Sequence, residues 1–189
     1  MLSAIGSPRP AEGIVDLLLE CHARIRSFSD LAVRLGEAAQ PPRAEVADAA
    51  ARIRRYFVEA LPLHARDEEE SVLPRLAGRD PAVDAALVAM HREHVEHGAV
   101  LDPVIALCAD LAAAPERHAE LAPALARAAR ALRAHFEAHL ASEEATIFPA
   151  VARVVPEDER RRMADELRGR RTGAVPPPGP GARPSHSSR

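Results

Sequence analysis

The sequence predicts an all-α protein, an antiparallel up-down-up-down four-helix bundle. Apolar residues recur at three- and four-residue spacing over long stretches, and prolines and glycines cut these into four of similar length. Aromatic residues make up only 3% of the chain and Trp is absent, which leaves little material for a β-sheet, whereas Ala, Leu, Arg and Glu favour helix. With 189 residues, 47% of them hydrophobic, one core can be buried without disulfides.

The first helix is expected over about residues 11–39, entered through Pro8 and Pro10 and stopped by Pro41 and Pro42. The second spans about 43–76 and ends near Pro74 and Gly78. Asp80 as N-cap, with Pro81 at the first helical position, starts a third that reaches about Ala114. Pro115 opens the fourth, which runs to about Val154. Pro62, Pro103 and Pro123 fall inside these segments, and each should remove one backbone hydrogen bond and bend its helix. Acids at Glu157, Asp158 and Glu159, followed by bases as far as Arg168, match the macrodipole of a short extra helix over about 157–168. One domain over residues 1–168 is expected, with its core at about 11–152. The Pro-, Gly- and Ser-rich stretch 169–189 lacks periodic apolar residues and is expected to be disordered and dispensable.

A formal net charge of -3 gives no positive field to attract nucleic acid or an anionic membrane. No stretch approaches the uncharged apolar run that a membrane span needs, and the N-terminus lacks the apolar core of a secretory signal. Cys21 and Cys108 are too few for a disulfide framework and are expected to be small buried apolar residues, so a cytoplasmic location is expected.

The two halves resemble each other. His64-Ala65-Arg66-Asp67-Glu68-Glu69, followed by Val72-Leu73-Pro74, matches His139-Leu140-Ala141-Ser142-Glu143-Glu144, followed by Ile147-Phe148-Pro149; His22 matches His94. Residues four apart share a helix face, so His64/Glu68 and His139/Glu143 each present an imidazole beside a carboxylate. Measured from the intervening turns, His22, His64, His94 and His139 fall within about 3–8 Å of one level, given a rise of roughly 1.5 Å per residue. Six such donors buried together would be costly unless a cation satisfied them. Mixed imidazole and carboxylate donors suit iron, with manganese second, better than structural zinc, and two carboxylates able to bridge favour two ions.

The doubled HxxxEE…(L/F)P element, with His22 on the first helix and Met90-His91-Arg92-Glu93-His94 on the third, resembles the hemerythrin-like, HHE cation-binding family over about residues 11–152. The resemblance implies an oxo- or hydroxo-bridged pair of non-haem iron ions. It makes His22, His64, His94 and His139 terminal ligands and Glu68 and Glu143 bridging ones. Invertebrate oxygen-carrying members use five histidines and an acid one residue further along the last helix. Glu143, four residues after His139, is closer to the bacterial branch with four histidines and two glutamates. His94 is chosen over His91 and His97 because it follows Glu93, as the family pattern wants, and aligns with His22. Glu69, Glu70 and Glu144 are read as solvated or supporting carboxylates. His135, one turn before His139, is left open as a fifth ligand, a supporting donor or a bystander. His118 is expected to be exposed near a turn, and Tyr56 to pack.

The function expected from the resemblance is binding of a small diatomic or peroxide ligand (O2, NO, H2O2) for sensing, storage or stress protection. That makes the chain more a ligand-binding protein than a classical enzyme, as a monomer or an oligomer of unknown order. A second reading is iron–sulfur-cluster repair or nitric-oxide handling, although such proteins usually carry an extra N-terminal cysteine-containing domain and only about ten residues precede the first helix. A third is a metal-free helical interaction module. A ferritin-like oxidase is disfavoured because no histidine has a Glu three positions before it, and the H-E-x-x-H element is absent.

Overall fold

The computed structural model describes residues 13–172, which form five helical rods and no strand. The first, α1, is Ile14–Glu37; α2 covers residues 43–76; α3 is Pro81–Ala113, α4 Pro115–Val154 and α5 Glu157–Thr172. Their signals are the local ones the sequence carries. The Gly13 amide donates to Asp16 Oδ2 at 3.2 Å at the start of α1, and Asp80 caps α3 by accepting from the Ala82 amide at 2.8 Å. Between α2 and α3, Gly78 has φ 75°, a left-handed turn that ends a helix at little cost only for glycine. No single helix among the described residues is long and apolar enough to cross a membrane.

α1 to α4 form an antiparallel bundle in which α1 packs on α2 and α4, and α3 on α2 and α4. The interior has two apolar clusters. One joins Ile25, Ile53, Phe57, Val104, Leu111, Leu132 and Leu140; the other joins Leu18, Val72, Leu76, Leu87, Met90, Ile147, Val151 and Leu167. On each of α1 to α4 the change from one cluster to the other falls at polar residues: His22 between Leu18 and Ile25, His64 to Ser71 between Leu61 and Val72, His94 and His97 between Met90 and Leu101, and Glu143 between Leu140 and Ile147, with His139 one residue before Leu140. The bundle is two apolar cores with a polar layer between them.

Prolines shape α2 and α4 in a way the sequence did not announce. Three turns widen to π geometry, at Tyr56–Ala60, Glu68–Val72 and Glu143–Ile147, and each closes at a residue followed by proline: Leu61-Pro62, Leu73-Pro74 and Phe148-Pro149. A proline ring collides with the carbonyl four residues back, and widening the turn moves that carbonyl aside while the residue before proline donates five back instead. The Leu73 amide accordingly donates to the Glu68 carbonyl, and Phe148 to that of Glu143. Pro103 lies downstream of a break in α3 at His97, while Pro123 is contained in the unbroken segment His118–Ser142, where the expected bend gives no break.

The fifth helix corrects the expected boundary at residue 168. It continues to Thr172 with Met163, Ala164 and Leu167 buried against the second apolar cluster and its last turn against α1 and α2. The remainder of the expected tail, from 173, lies outside the described residues.

Gly36 of α1 lies close against α4, where an added Cβ would be 2.5 Å from the Ala126 amide nitrogen and 2.7 Å from its Cα. Gly36→Ala is expected to lower stability by about 1–3 kcal/mol by forcing two backbones apart. Denaturant unfolding checks this, and an unchanged midpoint would show that the α1–α4 contact yields freely.

Candidate metal centre

All six residues singled out from the sequence meet in the polar layer. Two overlapping sets of donor atoms form, His22/His64/Glu68/Glu143 and Glu68/His94/His139/Glu143, and within each set the atoms lie within 4.8 Å of one another. Glu68 and Glu143 belong to both, so the carboxylates stand between two imidazole pairs. His22 Nε2 is 3.2 Å from Glu143 and 3.8 Å from Glu68; His64 Nε2 is 3.5 Å and His94 Nε2 3.3 Å from Glu68; His139 Nε2 is 3.2 Å from Glu143. Glu68 is 0% and Glu143 2% exposed, which places both carboxylates away from water.

The π turns begin at the two carboxylates. Glu68 and Glu143 are each the first residue of a widened turn, four residues after His64 and His139 on regular helix. The repeated Pro74 and Pro149 therefore set the backbone at which both carboxylates enter the layer.

Outside the donors is a ring of acids. His22 Nδ1 donates to Glu144 at 2.8 Å, His94 Nδ1 to Glu69 at 2.8 Å and His139 Nδ1 to Glu93 at 2.7 Å. A carboxylate accepts only, so in each case Nδ1 carries a proton and the inward Nε2 is the nitrogen turned toward the centre. The second Glu of each HxxxEE element thus orients the histidine of a neighbouring helix: Glu69 of α2 serves α3, and Glu144 of α4 serves α1. Arg26 holds Glu144 at 2.7 Å and Glu137 at 3.0 Å, while exposed His91 donates to Glu69 at 3.0 Å. Of the residues read from sequence as solvated or supporting, Glu69 and Glu144 therefore support; Glu70 faces Arg66 and Arg170 near the surface.

His97 is a feature the sequence spacing did not resolve. It is buried, with its ring 4.7 Å from that of His139, 5.3 Å from His94 and 5.0 Å from His135. Its Nε2 and that of His135 have no hydrogen-bond partner among the described residues, so one imidazole pair is bordered by two further imidazoles and the other is not. His118, expected to be exposed, is instead buried, its Nε2 donating to the Leu35 carbonyl at 2.8 Å to close the end of α1. Tyr56 packs as expected, its ring stacked 4.1 Å from Phe28.

The electrostatics are those of a cluster in need of a cation. Burial opposes a charge on His22, but Glu143 and Glu68 outweigh it and raise its pKa to about 9; burial opposes one on His94, where Glu68 and Glu69 likewise raise it to about 9. His64 goes the other way, lowered to about 4 by burial and by the surrounding histidines. Burial and the charge of Glu68 push Glu143 up, while for Glu68 burial is outweighed by His64, His22 and His94, which hold it low. Both carboxylates cannot be charged at this separation without positive charge between them. Among the described residues, His22 Nε2, both nitrogens of His64, His94 Nε2 and all four oxygens of Glu68 and Glu143 lack a well-directed hydrogen bond although they are buried. Apart from His64 Nδ1, they gather at the two donor sets, a pattern that costs heavily as it stands and that metal coordination resolves.

Two substitutions test this geometry. Glu144→Gln, which weakens the orientation of His22, is expected to cost about 10- to 100-fold in metal affinity. Pro74→Ala, which lets the turn at Glu68 close to regular helix, is expected to cost about tenfold. Metal titration reads both; wild-type affinity in Pro74→Ala would mean that something other than the proline sets the turn.

The chain's sequence was compared with known proteins. No curated protein matches it. The family model of the hemerythrin HHE cation binding domain matches residues 13–151, which covers α1 to α3, α4 but for its last residues and both HxxxEE elements, and stops short of α5. A buried two-lobed cluster of histidine and glutamate in an antiparallel bundle and this match over most of the chain agree: the chain belongs to the hemerythrin HHE cation-binding domain family, and its site is built to bind metal.

Proposed function

We propose that the site holds two non-haem iron ions, with His22 and His64 on one, His94 and His139 on the other, and Glu68 and Glu143 bridging. The observation that carries this reading is the sharing of both carboxylates by two donor sets, which suits a pair of ions better than one. Hard carboxylates with imidazoles and no thiolate among the donors favour iron, with manganese second. An iron pair, when bound, supplies an open coordination position and exchangeable electrons. On that basis we assign the protein to binding a small diatomic or peroxide ligand, O2, NO or H2O2, for sensing, storage or stress protection. The chain's own part is to aim Nε2 of three histidines at the centre through Glu144, Glu69 and Glu93, and to exclude water with apolar residues on both sides. Unpaired Cys21 and Cys108 suit a cytoplasmic location.

Iron quantitation of purified protein, with absorption spectra before and after O2, azide, peroxide and nitric oxide, tests the reading. About two equivalents of iron and a bridged di-iron absorption that responds to one of these ligands is the expected result; less than about one equivalent would favour a metal-free helical module. His64→Ala and His139→Ala are each expected to lose metal and much thermal stability, because the remaining donors go unsatisfied. Unchanged iron in both variants would refute the assignment.

The apo-state protonation gives a pH dependence. His22 and His94, raised to about 9, must each release a proton for Nε2 to coordinate, and Glu143, also raised, must release one too. Metal uptake is expected to liberate protons, and apparent affinity to climb with pH up to about 9 and fall in acid. Calorimetric titration in buffers of different ionisation heat measures the protons, and an affinity flat between about pH 6 and 8 would contradict the protonation pattern.

A further inference from the structure

The two halves of the site are not equivalent, and the difference lies around His64. By the internal repeat, Glu93, which orients His139, corresponds on α1 to Cys21, 72 residues earlier, just as His94 corresponds to His22. By that correspondence a thiol takes the place of the orienting carboxylate, and among the described residues the Nδ1 of His64 is buried without a partner. The carboxylate of this half is one position before Glu68 instead. Asp67, whose counterpart 75 residues later is Ser142, is 0% exposed.

Asp67 and Cys21 are both gripped by the last turn of α5. Arg170 donates to Asp67 Oδ1 at 2.8 Å, to Ser71 Oγ at 2.8 Å and to Glu70 at 3.1 Å. Arg171 donates to Asp67 Oδ2 at 2.6 Å and to Cys21 Sγ at 3.2 Å. Two guanidiniums thus take both oxygens of one buried carboxylate, and one of them reaches across to the residue beside His22. Charge-assisted contacts to both oxygens fix geometry as well as charge. Nothing of this kind touches the His94/His139 half among the described residues, and the helix that supplies it lies beyond the matched domain.

We propose that the end of α5 is a positioning element for one half of the centre: Arg170 and Arg171 fix Asp67 and Cys21, the chain neighbours of Glu68 and His22, and so set the affinity of the ion held by His22 and His64. The proposal rests on the two-ion reading above. Arg75 separates it from a merely structural role. Arg75 also ties α5 to α2, through Glu159 at 2.7 Å and Glu166 at 2.7 Å, but is not bonded to Asp67 or Cys21.

The test is Co(II) titration followed by the visible d–d spectrum, with helicity and melting temperature measured alongside. The wild type is expected to take two Co(II) ions. Arg170→Gln/Arg171→Gln is expected to take the ion of the His22/His64 pair about tenfold more weakly and the other, which shares only Glu68 with the disturbed region, with a clearly smaller loss, and to alter chiefly the spectrum of the first. Asp67→Asn, which leaves α5 packed, is expected to shift the same ion and serves if the arginine variant does not fold. Arg75→Gln is expected to lower the melting temperature and leave both Co(II) affinities alone. Equal effects of Arg75→Gln and the arginine pair, or unchanged or stronger binding in both Asp67→Asn and the arginine pair, would overturn the proposal. A wild type that binds no pair of Co(II) ions would overturn the two-ion reading beneath it.

Discussion

The middle of this bundle is occupied by groups that water would hold better than protein. Four imidazoles and two carboxylates lie between two apolar cores, and each ionised group costs several kcal/mol to bury unless its partners compensate. Much else in the structure answers that constraint. Apolar residues precede and follow each donor on its rod, so four helices must align at one height for the polar layer to be continuous. The carboxylates converge because only facing the imidazoles, and a cation, is their charge tolerable.

Holding the donors in that layer takes a second tier of contacts. Glu69, Glu93 and Glu144 each accept from an Nδ1, which fixes the tautomer and aims the opposite nitrogen inward. Pro74 and Pro149 act through the backbone, forcing the widened turns from which Glu68 and Glu143 project. The HxxxEE…P element is thus one device with three parts: a histidine and glutamate that face the centre, a second glutamate that orients a histidine on another helix, and a proline that sets the turn.

The repeat is symmetric in its donors and asymmetric in their support. His97 and His135 border the His94/His139 pair, whereas the His22/His64 pair has Cys21, Asp67 and the arginines of α5. Two ions held by like ligands in unlike surroundings would differ in affinity and in access. On the proposed two-ion reading, such a difference would let one position stay filled while the other exchanges ligand.

The helical class, the four-rod order, the Asp80–Pro81 start and all six inward donors could be read from the sequence, because each depends on spacing within one helix or on a motif that occurs twice. His118 and the last turn of α5 depart from expectation for the opposite reason. A histidine near a turn and arginines at the edge of a polar tail carry no local sign of burial; their partners, the Leu35 carbonyl and Asp67, are 83 and about 100 residues away. The same holds for Glu69, Glu93 and Glu144, whose partner histidines belong to other helices. Periodicity states which face of a helix turns inward, but which residue of another helix it meets there depends on how the rods pack, and tertiary structure alone decides that.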